Sequence, residues 1–324
     1  MSNAIEMLAE FKKKLDSFLE QYFRNGFSGQ ESELSVDYNS SIAQFILNGG
    51  KRLRPALFYY TYVFLNDHES NDIFELSIFL EFIQAFLLIH DDIIDASELR
   101  RGKPTVHVVY EKLALSKGYP DPKRYGEMVA LLVGNIAYQY INKIIIDSNL
   151  SIENKLALIR LCSQKIEEVL VGQIEDFNLS LIENFTEEDI KKVQQDKTVT
   201  YSFELPIEAA IVLSQNTGQE TIESLRKIAQ YTGLAFQIQD DVLGLFGDEE
   251  KTGKSIYTDL IEGKKTYLIW DTLKSASYSE KEFVLKNIGN KNSSIEELEK
   301  VRSIIKKSGA LEKSKSNDAV KILD

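Results

Sequence analysis

Apolar residues recur along this chain at helical spacing, as in Leu76, Phe79, Leu80, Ile83, Phe86 and Leu87, and again in Leu158, Leu161, Cys162, Ile166, Val169 and Leu170. Such recurrence places apolar side chains on one stripe of an α-helix. Convincing period-two runs are absent, so the pattern predicts an all-α fold. Turn residues break it at Asn25 to Gly29, Asn48 to Gly50, Arg101 to Pro104, Lys117 to Pro122, Asn216 to Gly218 and Gly247 to Gly263, which separates about ten or more helices. With no internal repeat and no Pro- or Gly/Ser-rich linker, residues 1–324 are expected to form one large helical-bundle domain, its Lys- and Ser-rich end, 307–324, fraying.

Composition sharpens this picture. Only 5 Pro and 17 Gly among 324 residues leave room for long helices. A net charge of −12 opposes non-specific binding to nucleic acid or an anionic membrane, so any phosphate ligand must be met by local basic groups. The single cysteine, Cys162, cannot form an intrachain disulfide and fits a reducing compartment. The start, MSNAIEMLAEFKKKLDSF, lacks a signal-peptide core and reads as an amphipathic helix. The apolar stretch from Met128 to Ile146 carries Asn135, Gln139, Asn142 and Lys143, which argues against a spanning helix. A cytoplasmic protein is expected.

The strongest chemical signal is LLIHDDIID, in which Asp91, Asp92 and Asp95 follow an apolar helical run. Asp91 and Asp95 lie one turn apart on one face. Two unit charges about 6 Å apart repel by roughly 3 kcal/mol at an effective dielectric near 20, and a bound divalent cation reverses that sign. Magnesium takes a few carboxylates and fills its remaining positions with water and phosphate oxygens. A lone cluster of this kind is more often a solvated helix end. Here AFQIQDDVLGLFGD repeats the design with Asp240 and Asp241 after a second apolar run. The pair is expected to approach across one pocket and clamp a diphosphate.

Basic residues occur where such a ligand needs them. Arg100 and Arg101 follow Asp95 closely, and Gly49 to Pro55 offers Lys51, Arg52 and Arg54 at a helix break. Lys251, Lys254, Lys264 and Lys265 lie beyond the second motif. Lys251 to Ser255 imitates a nucleotide-hydrolase phosphate loop, but Gly247 and Gly253 are separated by five residues where that motif has four, and no strand precedes it.

The strings GGKRLRP, DDIIDASELRRGKPTVH, GQIEDF, DKTVTYSF, FQIQDDVLGLFGDEEKTGK and EGKKT, in this order from about Gly49 to Lys265, resemble the trans-isoprenyl diphosphate synthases. The resemblance implies an isoprenoid-synthase helical bundle around a central apolar cavity. Its reaction joins isopentenyl diphosphate to an allylic diphosphate, with three magnesium ions when substrate is bound. It assigns metal binding to Asp91, Asp95 and Asp240, supported by Asp92 and Asp241. It places Arg100, Lys197, Lys254 and Lys264 on the allylic diphosphate, and Lys51, Arg54 and Arg101 on isopentenyl diphosphate. Gln84 stands where many bacterial members have histidine, and its amide can still donate to a phosphate. Lys197, Thr198, Tyr201 and Gln237 are implied to face the allylic cation. The family also implies a homodimer.

Gly244 stands where many members have a third aspartate; similar DDVLG strings occur in archaeal and actinobacterial geranylgeranyl synthases. Leu87 lies one turn below Asp91 with Phe86 beside it, and bulk there would end chain growth. One aromatic at these two positions resembles the archaeal geranylgeranyl pattern, so twenty carbons is the expected product, fifteen the next and longer chains third. His90 is read as a packed, hydrogen-bonded histidine. A non-catalytic partner subunit would have lost an aspartate motif or its arginines. A terpene cyclase would lack GGKRLRP and the paired arginines, and an inert metal scaffold would not need phosphate-binding groups.

Overall fold

The computed structural model describes residues 2–26, 37–214, 217–248 and 255–315. Helices dominate, as the periodicity predicts: α1 (Ser2–Gly26), α2 (Tyr38–Leu47), α3 (Leu53–Asn66), α4 (Asn71–Leu76), α5 (Phe79–Ile94), α6 (Val106–Ser116), α7 (Pro122–Asp147), α8 (Ile152–Leu181), α9 (Glu187–Gln194), α10 (Leu205–Leu213) and α11 (Gln219–Phe246). Shorter helices follow at Thr258–Glu262, Tyr267–Ser275, Tyr278–Asn287, Ile295–Lys307 and Ala310–Lys315. A π-helix, Gln195–Glu204, separates α9 from α10.

The chain divides into two compact units. The first comprises Met1–Leu161 and Pro206–Thr217, the second Cys162–Leu205 and Gly218–Asp324. In the first, α5 packs against α7, and α7 against α6. Its core includes Phe58, Phe79, Phe82, Leu15, Leu19 and Ile83, all with essentially no exposure. Phe58 and Phe79 meet edge to face at 5.6 Å, a geometry aromatic quadrupoles favour. The apolar run expected to be continuous from Leu76 is broken at Ser77, whose hydroxyl donates to the Phe74 carbonyl at 2.6 Å and competes with helix propagation. Asp121 caps α7 through the Arg124 N–H, with Pro122 at the first helical position.

Two strands, β1 (Leu99–Arg100) and β2 (Lys103–Pro104), form a minimal antiparallel hairpin between α5 and α6. Its two-residue turn holds Arg101 at φ 54° and Gly102 at φ 73°, the positive dihedrals that type I′ turns require. Strands of two residues are too short to leave a period-two pattern.

In the second unit α11 packs along the π-helix. Leu179, Ile190, Ile238, Val242, Leu245, Leu260 and Leu268 join a shared core with the later helices. Of the end expected to fray, 307–324, residues 316–324 lie outside the described residues; within 307–315 Gly309 turns the chain at φ 80°, Ala310 and Leu311 are buried in that core, and Lys313 pairs with Asp271 at 2.6 Å. Among the described residues two stretches are long and apolar enough to cross a membrane, 71–94 and Pro122–Asp147, the first of them 72% buried inside the fold.

Candidate active site

The first aspartate motif ends α5. Along one stripe of this otherwise buried helix, Gln84, Leu87, Leu88 and Asp91 are half-buried, so they share a face that the core does not seal. Asp92 points the other way and is 1% exposed. Both of its oxygens accept from Arg100 Nε, at 2.8 and 2.9 Å. Arg100 Nη2 lies 2.7 Å from Asp92 and 3.4 Å from Asp91. Asp92 therefore holds an arginine, whereas Asp91 is half-buried and meets the same arginine through Oδ2. Asp95 follows as the half-buried C-cap of α5. His90 donates or accepts through Nδ1 at 2.8 Å from the Phe86 carbonyl. A Cβ at Gly134 would come within 2.3 Å of its ring, so only glycine lets α7 pass there. This is the packed histidine the sequence predicts.

Beside this motif lies a crowd of arginines. Arg101, in the left-handed region, donates to the Gly49 carbonyl. Its pKa falls chiefly through desolvation; Glu81 opposes the fall, and Arg52, Arg100 and Arg54 add to it by repulsion. Guanidiniums held this close together suit an anion with several oxygens. Lys51 is exposed and Arg54 half-buried at the same break. Arg52 differs from both. It is also left-handed, at φ 54°, and turns inward to 3% exposure. Its Nε binds Asp16 at 2.8 Å, Nη2 the Ile46 carbonyl at 2.8 Å, and Nη1 pairs with Glu81. Arg52 thus clips α1, α2 and α5 together and is committed to the fold.

In the second unit the second motif sits on α11, with the same division between its first two aspartates. Asp240 is exposed and Asp241 buried. Both oxygens of Asp241 are engaged, one by Gln194 Nε2 and one by Gln237 Nε2, each at 2.8 Å. Burial pushes the Asp241 carboxyl up to about 8, opposed by the Gln237 bond and by Lys264 and reinforced by Asp259 and Asp240. A Cβ at Gly244 would lie 2.2 Å from Asp259 Oδ2. The space that a third motif side chain would enter is therefore taken by a carboxylate from the helix Thr258–Glu262. Asp259 Oδ1 also receives Lys264 Nζ at 3.0 Å, which Glu262 holds from its other side at 2.8 Å. Lys254 lies outside the described residues.

Lys197, Thr198 and Tyr201 are half-buried on the π-helix, a conformation that is rare and recurs at functional sites. Lys197 Nζ donates to Asp176 Oδ2 at 2.7 Å. Cβ atoms at Gly172 of α8 and Gly233 of α11 would lie 2.7 Å from the Lys197 nitrogen and 2.6 Å from Val199 Cγ1, so two glycines admit the wide helix. Asp176, Gln194, Asp259 and Glu81 escape the sequence reading; only Asp176 had a signal, inside GQIEDF.

Among the described residues no three His, Cys, Asp or Glu side chains converge to form a ready-made metal cage. Magnesium does not need one, since it binds through one or two carboxylates and completes its shell with water and phosphate. All-oxygen donors at Asp91, Asp95 and Asp240, with Asp92 and Asp241 committed to neighbours, fit that habit.

A predominantly helical chain carrying two aspartate motifs and an arginine-rich loop defines a prenyltransferase of the isoprenoid synthase fold. The chain belongs to the polyprenyl synthetase family, whose model matches residues 36–305. It is 34% identical over 273 residues to the short chain isoprenyl diphosphate synthase of Methanocaldococcus jannaschii, spanning 84% of this chain and 76% of that protein. Identity to the geranylgeranyl diphosphate synthase of Saccharolobus solfataricus is 31% over 264 residues, with 80% and 73% covered. Among solved structures, the geranylgeranyl pyrophosphate synthase of Corynebacterium glutamicum, complexed with isoprenyl diphosphate and magnesium, matches with a TM-score of 0.88 and 29% identity over 97% of this chain and 90% of that one.

Proposed function

We propose that this chain is a magnesium-dependent short-chain synthase that joins isopentenyl diphosphate to an allylic diphosphate and releases a twenty-carbon product. The observation that carries the reading is the arginine crowd around Arg101, which repels itself in the free protein and lies beside an aspartate-ended helix. Diphosphate is the anion that answers both, since metal-bound oxygens suit the aspartates and the remaining oxygens suit guanidinium forks.

In this reading Lys51, Arg54, Gln84 and Arg101 bind isopentenyl diphosphate, while Arg100, Lys197, Lys254 and Lys264 grip the allylic diphosphate. Asp91, Asp95 and Asp240 hold magnesium, three ions with substrate bound, which supplies charge neutralisation where the pyrophosphate departs. Asp92 fixes Arg100, and Asp241 fixes the amides of Gln194 and Gln237. Oxygen dipoles of Lys197, Thr198, Tyr201 and Gln237 face the allylic cation. Leu87 on the Asp91 stripe, with Phe86 behind it, limits chain growth. A cytoplasmic homodimer accompanies this reading on family resemblance alone.

The test is incubation of the purified protein with magnesium, isopentenyl diphosphate and each allylic primer in turn, followed by product chromatography. A single twenty-carbon product is expected. A mixture dominated by longer chains overturns the product length, and no condensation with any primer overturns the activity.

A further inference from the structure

The π-helix is held at both ends by one side chain that no motif includes. Gln195 begins it and Glu204 ends it. Gln195 Nε2 donates to Glu204 Oε1 at 2.7 Å, so the first and last residues of the segment are tied directly. The other oxygen, Glu204 Oε2, receives Lys165 Nζ at 2.9 Å. Lys165 stands on α8, where Glu168 anchors its ammonium at 2.8 Å. Within the segment the Thr200 hydroxyl donates to the Gln195 carbonyl at 3.0 Å, and the Leu205 N–H donates to the Thr200 carbonyl, five residues back.

A polypeptide relaxes readily from such five-residue steps to the four-residue steps of an α-helix, because π-turns are uncommon and usually single. Relaxation anywhere along 195–204 would rotate each residue beyond it about the helix axis. Lys197, Thr198 and Tyr201 lie between the two tied ends. Gly172 and Gly233 make the wide helix possible by removing side chains, but they do not select its register. The bond from Gln195 to Glu204 does, and it is made although Gln195 Oε1 is left buried with no hydrogen-bond partner.

We propose that Glu204 is a positioning residue for the condensation: through Gln195 and Lys165 it keeps 195–204 in π-helical register, so that Lys197, Thr198 and Tyr201 point at the reacting allylic group. The proposal rests on the reading above for those three residues. A carboxylate is the side chain suited to the task, since it accepts from an amide and an ammonium at once.

The test compares Glu204→Ala and Glu204→Gln in the full-length protein by steady-state kinetics and by amide hydrogen exchange of 197–204. Glu204→Ala is expected to lower kcat on the order of tenfold, with the KM of isopentenyl diphosphate within about twofold, because Lys197, Thr198 and Tyr201 face the allylic substrate. Exchange should quicken within 197–204 and stay unchanged in the helix Ile295–Lys307. Glu204→Gln keeps an acceptor oxygen and should recover most of kcat and most of the protection. Wild-type kcat and protection in Glu204→Ala overturn the proposal, as does a kcat loss accompanied by uniformly faster exchange along the chain. Lys197→Ala separates the two readings. If it leaves kcat unchanged, the substrate-facing role of the π-helix fails, while exchange in Glu204→Ala still decides the clasp.

Discussion

Arg100 and Asp92 are bound through two oxygens and two guanidinium nitrogens, with Nε at 2.8 and 2.9 Å and Nη2 at 2.7 Å. Asp92 is the middle member of an aspartate motif, yet at 1% exposure its charge is spent on fixing an arginine. Its loss should therefore be felt through phosphate binding. Asp92→Asn is expected to reduce kcat/KM by about 10–100-fold, the range seen when groups supporting a ligand are removed, while shifting the magnesium requirement less than Asp91→Asn. Steady-state rates across a magnesium series check this. An equal shift in the two variants would make Asp92 a metal ligand in its own right.

Arg52 and Glu81 form a buried pair, at 3% and 4% exposure, that ties α3 to α5. Removing Arg52 strands Glu81 away from water, which costs about 3–5 kcal/mol, whereas removing Glu81 leaves Arg52 its bond to Asp16 and costs less. Arg52→Met should lower the denaturant midpoint accordingly, and Glu81→Gln should lower it by less. Replacing both residues by methionine should cost less than Arg52→Met alone, because Glu81 is then not left as an unpaired buried charge. Chemical denaturation of the three variants measures both effects. Additive losses would show that the pair is not coupled.

Gly244 and Asp259 share one volume, since any Cβ at 244 would meet Asp259 Oδ2 at 2.2 Å. The obstructing atom is the end of a side chain, so Gly244→Ala should displace Asp259 and release Lys264 at a cost of about 1 kcal/mol or less in stability. The effect should appear in the site: the magnesium concentration for half-maximal rate rises while the melting temperature stays close to wild type. An unchanged magnesium requirement would show that displacing Asp259 does not bear on magnesium binding.

These three relationships also mark how far the sequence could be read. Helical periodicity, turn glycines and both aspartate motifs are local signals, and α5, α11 and the break at Gly49 and Gly50 appear where those signals put them. Lys51, Arg52 and Arg54 look alike in composition, but a left-handed backbone at Arg52 sends that side chain into the core. The string DKTVTYSF has an ordinary helical composition; its π register depends on Gly172, Gly233, Lys165 and Glu204, which come from elsewhere in the chain or from beyond the string. Asp259 lies fifteen residues beyond Gly244 and is joined to it only by folding. What was illegible is contact between elements, which carries no local periodicity.

Cys162 is the only cysteine, and burial pushes its thiol up to about 12. The unfolded thiol ionises near 8.5, so the thiolate is favoured in the unfolded chain above that pH. Stability should be flat in this respect below about 8.5 and should fall as pH rises from there towards 12. At pH 8 the native protein should resist iodoacetamide, and it should take up one equivalent promptly in guanidinium chloride. Prompt labelling of the native protein would show that the second unit opens at Cys162.

Phe86 and Leu87 are neighbours with different surroundings, and that difference predicts different variants. Leu87 is half-buried on the stripe that carries Asp91, so added bulk there should block a growing chain directly: Leu87→Phe is expected to shift products from twenty carbons to fifteen. Phe86 is 6% exposed and wedged between His90 at 5.0 Å and Tyr138 at 5.2 Å. Phe86→Ala should open a cavity behind Leu87, at a cost of about 3–5 kcal/mol in stability, and let products grow past twenty carbons. Chromatography of both variants, with melting temperature measured alongside, separates the two roles. Lengthening in Phe86→Ala with no shortening in Leu87→Phe would make the aromatic wedge the sole floor. Unchanged products in both would place the limit on another helix.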